Sequence, residues 1–434
     1  MKEKLIVLAA CCLVSAGFGQ WLETTILCAD SSGPSALCYN TRNNKVYCAN
    51  RGRYPHLDST VIVIDGATNQ IIADVIAGHD PQLLCYNPQD NKIYCANSLG
   101  GGVKGSVTVI DGATDTAVAA VPAGIAPYVV CYNPQDNKVY CANQLDNSVT
   151  VIDGSTDSVI TTVMVGVGPS VLFHNPRNNK VYCANKYGDN VTVIDGVSDS
   201  VVTTITTGSR PSAFCYNSRD NKVYCANYGE YPDWDSTVSV IDGASDSLLA
   251  TITTGSGPSD LCYNSLNNKV YCANLVADTV AVIDGATDSV LTVVAVGREP
   301  SKLLYNPQNN KVYCVNWYSN SVSVLDGASD EVLRTIEVGS RPCAFAWNDA
   351  QNRVYVANRF GSSISVLRDS AGGIEEDFKP QAMGHNLAAT VIRNLPESII
   401  AFDAMGRRVL PTKPGIYFLR ITPTAPPRKV LLIK

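Results

Sequence analysis

The segment Asn44-Lys45-Val46-Tyr47-Cys48-Ala49-Asn50 returns in near-copy seven more times, its tyrosine standing at 47, 94, 140, 182, 224, 271, 313 and 355. Successive tyrosines lie 42, 46 or 47 residues apart. A period of about 40–50 residues restricts a chain to a propeller or a stacked array, because each unit must bury its apolar face on its neighbours. The copy at 211–255 divides into four short apolar, β-branched runs, at 212–216 (a), 222–227 (b), 236–242 (c) and 248–254 (d). Asn, Asp, Gly and Pro separate them. Four antiparallel strands per repeat is a propeller blade, so the expected fold is all-β.

The start of the chain decides how many blades close. Residues 21–28, Trp-Leu-Glu-Thr-Thr-Ile-Leu-Cys, match strand d of later repeats and no strand a. The chain holds eight a, eight b and eight c strands, but only seven d strands that follow their own c strand. The eighth d strand is therefore the N-terminal one, expected beside the last c strand at 362–367. That pairing predicts an eight-bladed ring with a three-plus-one closing blade and no free edge.

Composition narrows the function classes. The net charge is −6 and charged residues make up 17%, which speaks against nucleic acid as partner. Residues 1–19 carry Lys2 and Lys4, an apolar run and then small residues, the pattern of a secretory signal. Leu8-Ala9-Ala10-Cys11 resembles a lipoprotein box, though few apolar residues precede it. No later apolar run is long enough to span a membrane. The reading is thus of an exported protein, extracellular or on the outer-membrane surface. The propeller is expected over 20–370, a linker over 371–381 and a second small β domain over 382–434.

The sixteen cysteines invite a disulfide reading in an exported chain. Pairs 38/48, 85/95, 131/141, 215/225 and 262/272 each place one thiol on strand a and one on strand b, ten residues apart. A tight hairpin is expected to bring both to one face. Against oxidation, Cys183 and Cys314 keep the strand-b thiol while Phe173 and Leu304 replace its partner, so cysteine as a small apolar filler is the competing reading. Metal spacing is absent and no cofactor is expected.

Each hairpin after strand a carries Asn at both ends, which suits left-handed turns. A lysine opens strand b, and strand c ends in Asp65, Asp111, Asp153, Asp195, Asp242, Asp284 or Asp326. Antiparallel pairing of b with c predicts rim ion pairs within each blade, Lys45 with Asp65 first, and none in the eighth, where Arg368 replaces the aspartate. One carboxylate per blade does not converge on a calcium ion. His174 replaces the strand-a tyrosine of other blades and reads as a packed ring. Asp260 and Lys302 occupy one register in adjacent blades, at the central channel, and read as a mutual ion pair.

Propeller loops divide between two faces, and variation gathers on the one formed by b–c and d–a connections. Its b–c loops are enlarged at 51–58, 98–105 and 228–235 and carry Arg53, Tyr54, His56, Tyr228, Tyr231 and Trp234. Shorter neighbours add Tyr187, Trp317, Tyr318, Arg359 and Phe360, and d–a turns add Arg210, Arg298 and Arg341. Aromatics and arginines on loops held by a rigid ring make up a recognition surface. The loops at 51–58 and 98–105, on adjacent blades, are expected to form one raised wall.

The Val-Tyr-(Cys/Val)-Ala-Asn and Ser/Thr-Val-x-Val-Ile-Asp-Gly strands resemble the YVTN-type β-propeller repeats of secreted and surface proteins, over about residues 21–370. Segments 399–409, 415–420 and 428–434 resemble the C-terminal sorting domain of type IX secretion substrates. That likeness implies a small β-sandwich and the type IX machinery as a partner. It leaves three functions to weigh. The first is a non-catalytic binding module for protein or glycan. The second is a lactonase-like hydrolase or a cofactor-dependent oxidoreductase. The third is a passive cell-envelope structural protein.

Overall fold

A computed structural model describes residues 19–30, 32–53, 56–98 and 102–369, then 390–392, 401–402, 408–409, 415–419 and 428–432. Within these, the backbone alone is described at 53, at 56–57 and beyond 369. The export signal read at 1–19, apart from Gly19, and the linker at 371–381 lie outside the described residues.

Every described element is a strand. In the propeller unit they form eight four-stranded antiparallel sheets. Seven blades are sequential, at 34–76, 81–125, 127–164, 169–206, 211–253, 258–295 and 300–337. The eighth takes Pro342–Asn348, Arg353–Asn358 and Ser363–Asp369 from the end of the repeat array and Gln20–Leu27 from the chain start. Gln20 lies opposite Asp369, Thr25 opposite Ser365 and Leu27 opposite Ser363. Ile26 enters the core between blades 8 and 1. Glu23 on this strand receives Arg353 Nε at 2.8 Å, so the closure joins an ion pair to the strand ladder.

Strand b is the centre of each blade because its Val-Tyr-Cys-Ala run is apolar on both faces, and both faces are covered. Val223, Tyr224, Cys225 and Ala226 are wholly buried, as are their counterparts around the ring. A buried tyrosine must place its hydroxyl. Tyr224 donates to Asp288 of the next blade at 2.5 Å, and Lys222 Nζ reaches the other oxygen of that carboxylate at 2.8 Å. The same clasp joins Lys45 and Tyr47 to Asp115, Lys92 and Tyr94 to Asp157, Lys138 and Tyr140 to Asp199, Lys180 and Tyr182 to Asp246, and Lys269 and Tyr271 to Asp330. Each acceptor is a left-handed residue of a c–d turn.

This corrects the rim pairs expected inside each blade. Asp65 is taken by its own turn, accepting from the amides of Ala67 and Thr68 at 3.0 and 2.7 Å. The lysine stem therefore crosses to the neighbouring blade. Only Lys311 pairs within its blade, with Asp326, because blade 8 has no continuous c–d turn to offer an aspartate. Arg353 occupies the lysine position in blade 8 and donates to the carbonyls of Gly66 and Ala67 at 2.7 and 3.0 Å.

A second ring is made of asparagine. The Asn ending strand a donates to the left-handed Asn of the next blade's hairpin: Asn40 to Asn91 at 2.9 Å, Asn217 to Asn268 at 2.9 Å, and so around to Asn348 with Asn44 at 2.8 Å. The last bond joins the eighth blade to the first. The same acceptor oxygen takes the strand-a aromatic, Tyr39 to Asn44 at 3.1 Å and Trp347 Nε1 to Asn352 at 3.3 Å. His174 fits because its Nε2 stands 3.2 Å from Asn179. Tyr86 is the exception, its hydroxyl making no such bond, and at His174 burial holds the imidazole below its ordinary pKa.

The hairpin disulfides are ruled out by register. Cys38 lies opposite Tyr47, and Cys48 opposite Leu37. Side chains alternate along a strand, so the two thiols point to opposite sides of the sheet, and the other four hairpins share this register. All fourteen described cysteines are free thiols. Cys38 packs toward blade 2, in one cluster with Cys95. Burial pushes Cys141 up to about 12 and Cys28 to about 11, which leaves them protonated and poorly nucleophilic at neutral pH.

Phenylalanine at Tyr224 removes the clasp hydroxyl while Lys222 still holds Asp288. The expected cost is about 1–2 kcal/mol, read as a lower urea midpoint at unchanged slope.

The C-terminal strands form a separate unit. Its described residues make one five-stranded sheet, in which Gly415–Leu419 lies antiparallel to Arg428–Leu432 and Thr390–Ile392 lies parallel to it. Among the described residues no helix is long and apolar enough to cross a membrane.

Candidate binding face

Antiparallel topology puts the clasps and asparagine ring, at a–b and c–d turns, on one face of the disc, and the b–c and d–a loops on the other. These loops are tied to one another by backbone bonds. Tyr228 N donates to Arg210 O at 3.1 Å, Trp317 N to Glu299 O at 2.9 Å, Tyr318 N to Arg298 O at 3.2 Å and Arg359 N to Arg341 O at 3.0 Å. Each b–c loop is thereby fixed against the d–a turn that precedes strand a of its own blade. The residue before the strand-a proline is left-handed. It is glycine at 33, 168 and 257 but arginine at 210 and 341, with φ of 52° and 54°. A non-glycine residue there is strained and persists only where its surroundings fix it.

The expected site residues fall into three groups on this face. In blades 4 and 5, Arg210 lies 5.4 Å from the Tyr187 ring centre and pairs with Glu230. In blade 5, Trp234 meets Tyr228 edge-on at 4.9 Å and Tyr231 at 6.4 Å. Tyr231 is 78% exposed, while Tyr228 and Trp234 beneath it are half-buried. In blades 7 and 8, Arg298 and Arg341 lie 4.2 and 4.3 Å from the one Tyr318 ring, and Trp317 meets Phe360 edge-on at 5.9 Å. Blade 1 extends its b–c hairpin, Gly52 opposite Leu57 and Arg53 opposite His56. The side chains of Arg53, Tyr54 and His56 lie outside the described residues. So do residues 99–101, and with them the wall expected of loops 51–58 and 98–105.

Toward the axis, Lys302 Nζ stands 3.1 Å from Asp260 Oδ1, and Asp260 Oδ2 accepts from the Leu303 amide at 2.8 Å. The attraction of Asp260 raises the Lys302 pKa. Arg51 pairs with Asp80 at 2.6 Å. Among the described residues no three His, Cys, Asp or Glu side chains are grouped as metal ligands. An open recess of about 330 Å³ between blades 1 and 2 is lined by residues such as Ala77, Ser106, Thr108 and Ala119, without a titratable group.

A family model for the YNCE-like beta-propeller matches residues 18–349. The chain belongs to that family. No curated protein matches the sequence of this YNCE-like propeller. Among solved structures it is similar to Kuenenia stuttgartiensis hydrazine synthase, at 17% identity and a TM-score of 0.56, over 71% of this chain and 100% of that one. At that identity the likeness concerns the fold alone. The family model ends before the eighth blade is complete, and the YNCE-like ring is finished by the strand Gln20–Leu27.

What sequence reasoning missed on this face is the pairing of arginines with particular rings. The signal was present in the repeat: arginine stands at the d–a position two residues or one before Pro300, Pro211 and Pro342, and the b–c loop that returns beside it carries Tyr187, Tyr228, Trp317, Tyr318 or Phe360.

Proposed function

We propose that this YNCE-like propeller is an exported, non-catalytic binding module that holds a protein or glycan ligand on its b–c and d–a loop face. The observation that carries this reading is the knot of Tyr228, Tyr231 and Trp234, with Tyr231 exposed, on a loop bonded to its neighbouring turn. Amphipathic rings fixed in place lose little entropy on binding. The likeness of the repeat to YVTN-type propellers supports a surface or extracellular setting. The likeness of 399–434 to type IX sorting domains supports that machinery as the export partner, with 382–434 as a small β-sandwich. The acid available for channel chemistry, Asp260, is already engaged by Lys302 and the Leu303 amide, which favours binding over hydrolysis.

Glycan and protein arrays probed with the wild type and with a Trp234→Ala, Tyr231→Ala variant test the reading. Loss of the wild-type signal by about tenfold or more is expected, since buried aromatic anchors dominate interfaces. Equal binding by both proteins removes this face as the site.

A further inference from the structure

Three arginines in one sector of this face have no acidic partner. Arg298, Arg341 and Arg359 make no ion pair among the described residues, whereas Arg51 and Arg210 each have one. They are joined by ring contacts within the sector: Arg298 and Arg341 share the Tyr318 ring, Arg341 also lies 5.8 Å from Trp317, and Trp317 packs on Phe360, the neighbour of Arg359. Two guanidinium groups on one ring repel each other, and neither is held by an ion pair among the described residues. Arg359 goes further. Its Nε is buried with no acceptor in hydrogen-bond reach. Burial and the adjacent Arg51 lower its pKa. A buried charged donor without an acceptor is unfavourable, and a ligand that supplies an acceptor relieves it.

From these contacts we infer that the Arg298–Tyr318–Arg341–Trp317–Phe360–Arg359 sector binds an acidic polysaccharide, a chain of sugar rings bearing carboxylates. The inference rests on the binding-face reading and names its ligand class. A guanidinium fork matches a carboxylate with two parallel hydrogen bonds. The three forks come from two successive d–a turns and one b–c loop, and so lie along an arc rather than around one point. An arc of forks suits charges repeated along a chain. Trp317 and Phe360 add aromatic surface to the sector, and the C–H faces of pyranose rings stack on aromatic faces. The sector is basic on a chain of net charge −6, so the attraction is local and falls with added salt.

Calorimetric titration of the full chain with polygalacturonate, neutral dextran and poly-L-glutamate tests this. Expected are binding of polygalacturonate that weakens with salt, no binding of dextran, and little of poly-L-glutamate. Arg298→Ala with Arg341→Ala is expected to weaken polygalacturonate binding by about tenfold or more, and Arg298→Lys with Arg341→Lys to recover only part, because a lysine lacks the fork. Unchanged thermal melting of both variants separates this from misfolding. Absence of polygalacturonate binding, equal binding by the alanine variant, full rescue by lysine, or poly-L-glutamate binding as tightly would each overturn it. Array signals lost in the Trp234/Tyr231 variant but kept in the arginine variants would leave the face reading standing and remove this one.

Discussion

A chain beginning at Asp30 is expected to lose cooperative folding that a chain beginning at Gly19 retains. The shorter chain lacks the strand Gln20–Leu27 and so exposes the whole edge of Ser363–Asp369, whose apolar residues Ile364, Val366 and Leu367 are wholly buried. It also strips Glu23 from Arg353, a guanidinium whose side chain is only 8% exposed. Removing one partner of a buried pair costs about 3–5 kcal/mol, and losing Ile26 from its cluster about 1.5–3 kcal/mol more. Together these approach the whole stability of a typical domain, about 5–15 kcal/mol. Analytical sedimentation and thermal melting read the outcome: association through the open edge and a broad, early transition for the short chain. A single sharp transition at the same temperature in both chains would show that the strand contributes nothing to closure.

The second large effect is acid sensitivity. Asp65, Asp111, Asp195, Asp242 and Asp284 are held below the usual carboxylate range, chiefly by backbone amides of their own c–d turns, and Asp153 chiefly by the Ser155 hydroxyl. A carboxyl with a depressed folded pKa contributes stability above its unfolded value, about 4, and loses it as pH falls through the folded value. The urea midpoint is therefore expected to stay level from about pH 7 to 5 and then to fall steeply below about pH 4. Each group is lightly buried, so the effect of one is small and the effect of six acting in parallel is not. Asp242→Asn keeps an acceptor for the amides of Ala244 and Ser245, and is expected to cost little at neutral pH while removing its share of the acid slope. A midpoint as high at pH 3 as at pH 7 would contradict this role for the turns.

The ring and its closure were legible because they follow from counting. Eight copies of Val/Ile-Tyr-x-Ala/Val-Asn and a strand-d pattern at residues 21–28 admit few arrangements that leave no edge open. Contacts between blades were not legible in the same way. The lysine of strand b was matched to the aspartate of strand c because those residues are neighbours within a sheet, as Lys45 is opposite Asp65. The turn amides win that carboxylate, and the long lysine stem reaches the next blade, a relation that no within-repeat argument contains. Of the two readings left open for the cysteine pairs, the disulfide falls for a related reason. A spacing of ten looked symmetrical about the hairpin, but the turn puts Cys38 opposite Tyr47 rather than Cys48, and one residue of offset reverses the face.

The asparagine ring was half visible. Asn at both ends of every a–b hairpin was read as turn chemistry, and the left-handed Asn44 bears that out. The bond from Asn348 to Asn44 depends on closure and so could be stated only after it. On the binding face, residue types were legible and their partners were not, because Arg298 and Tyr318 meet through a d–a turn and a b–c loop twenty residues apart in the sequence.

Amide hydrogen exchange on the intact chain tests the closing strand most directly. With residues 22–27 paired to Ser363–Asp369, their ladder amides exchange as slowly as those of Arg353–Asn358 in the same sheet, and open only with the ring. Exchange of 22–27 at the rate of an unstructured peptide, while the sheets of blades 2 to 7 stay protected, would mean that the ring is not closed by the start of the chain.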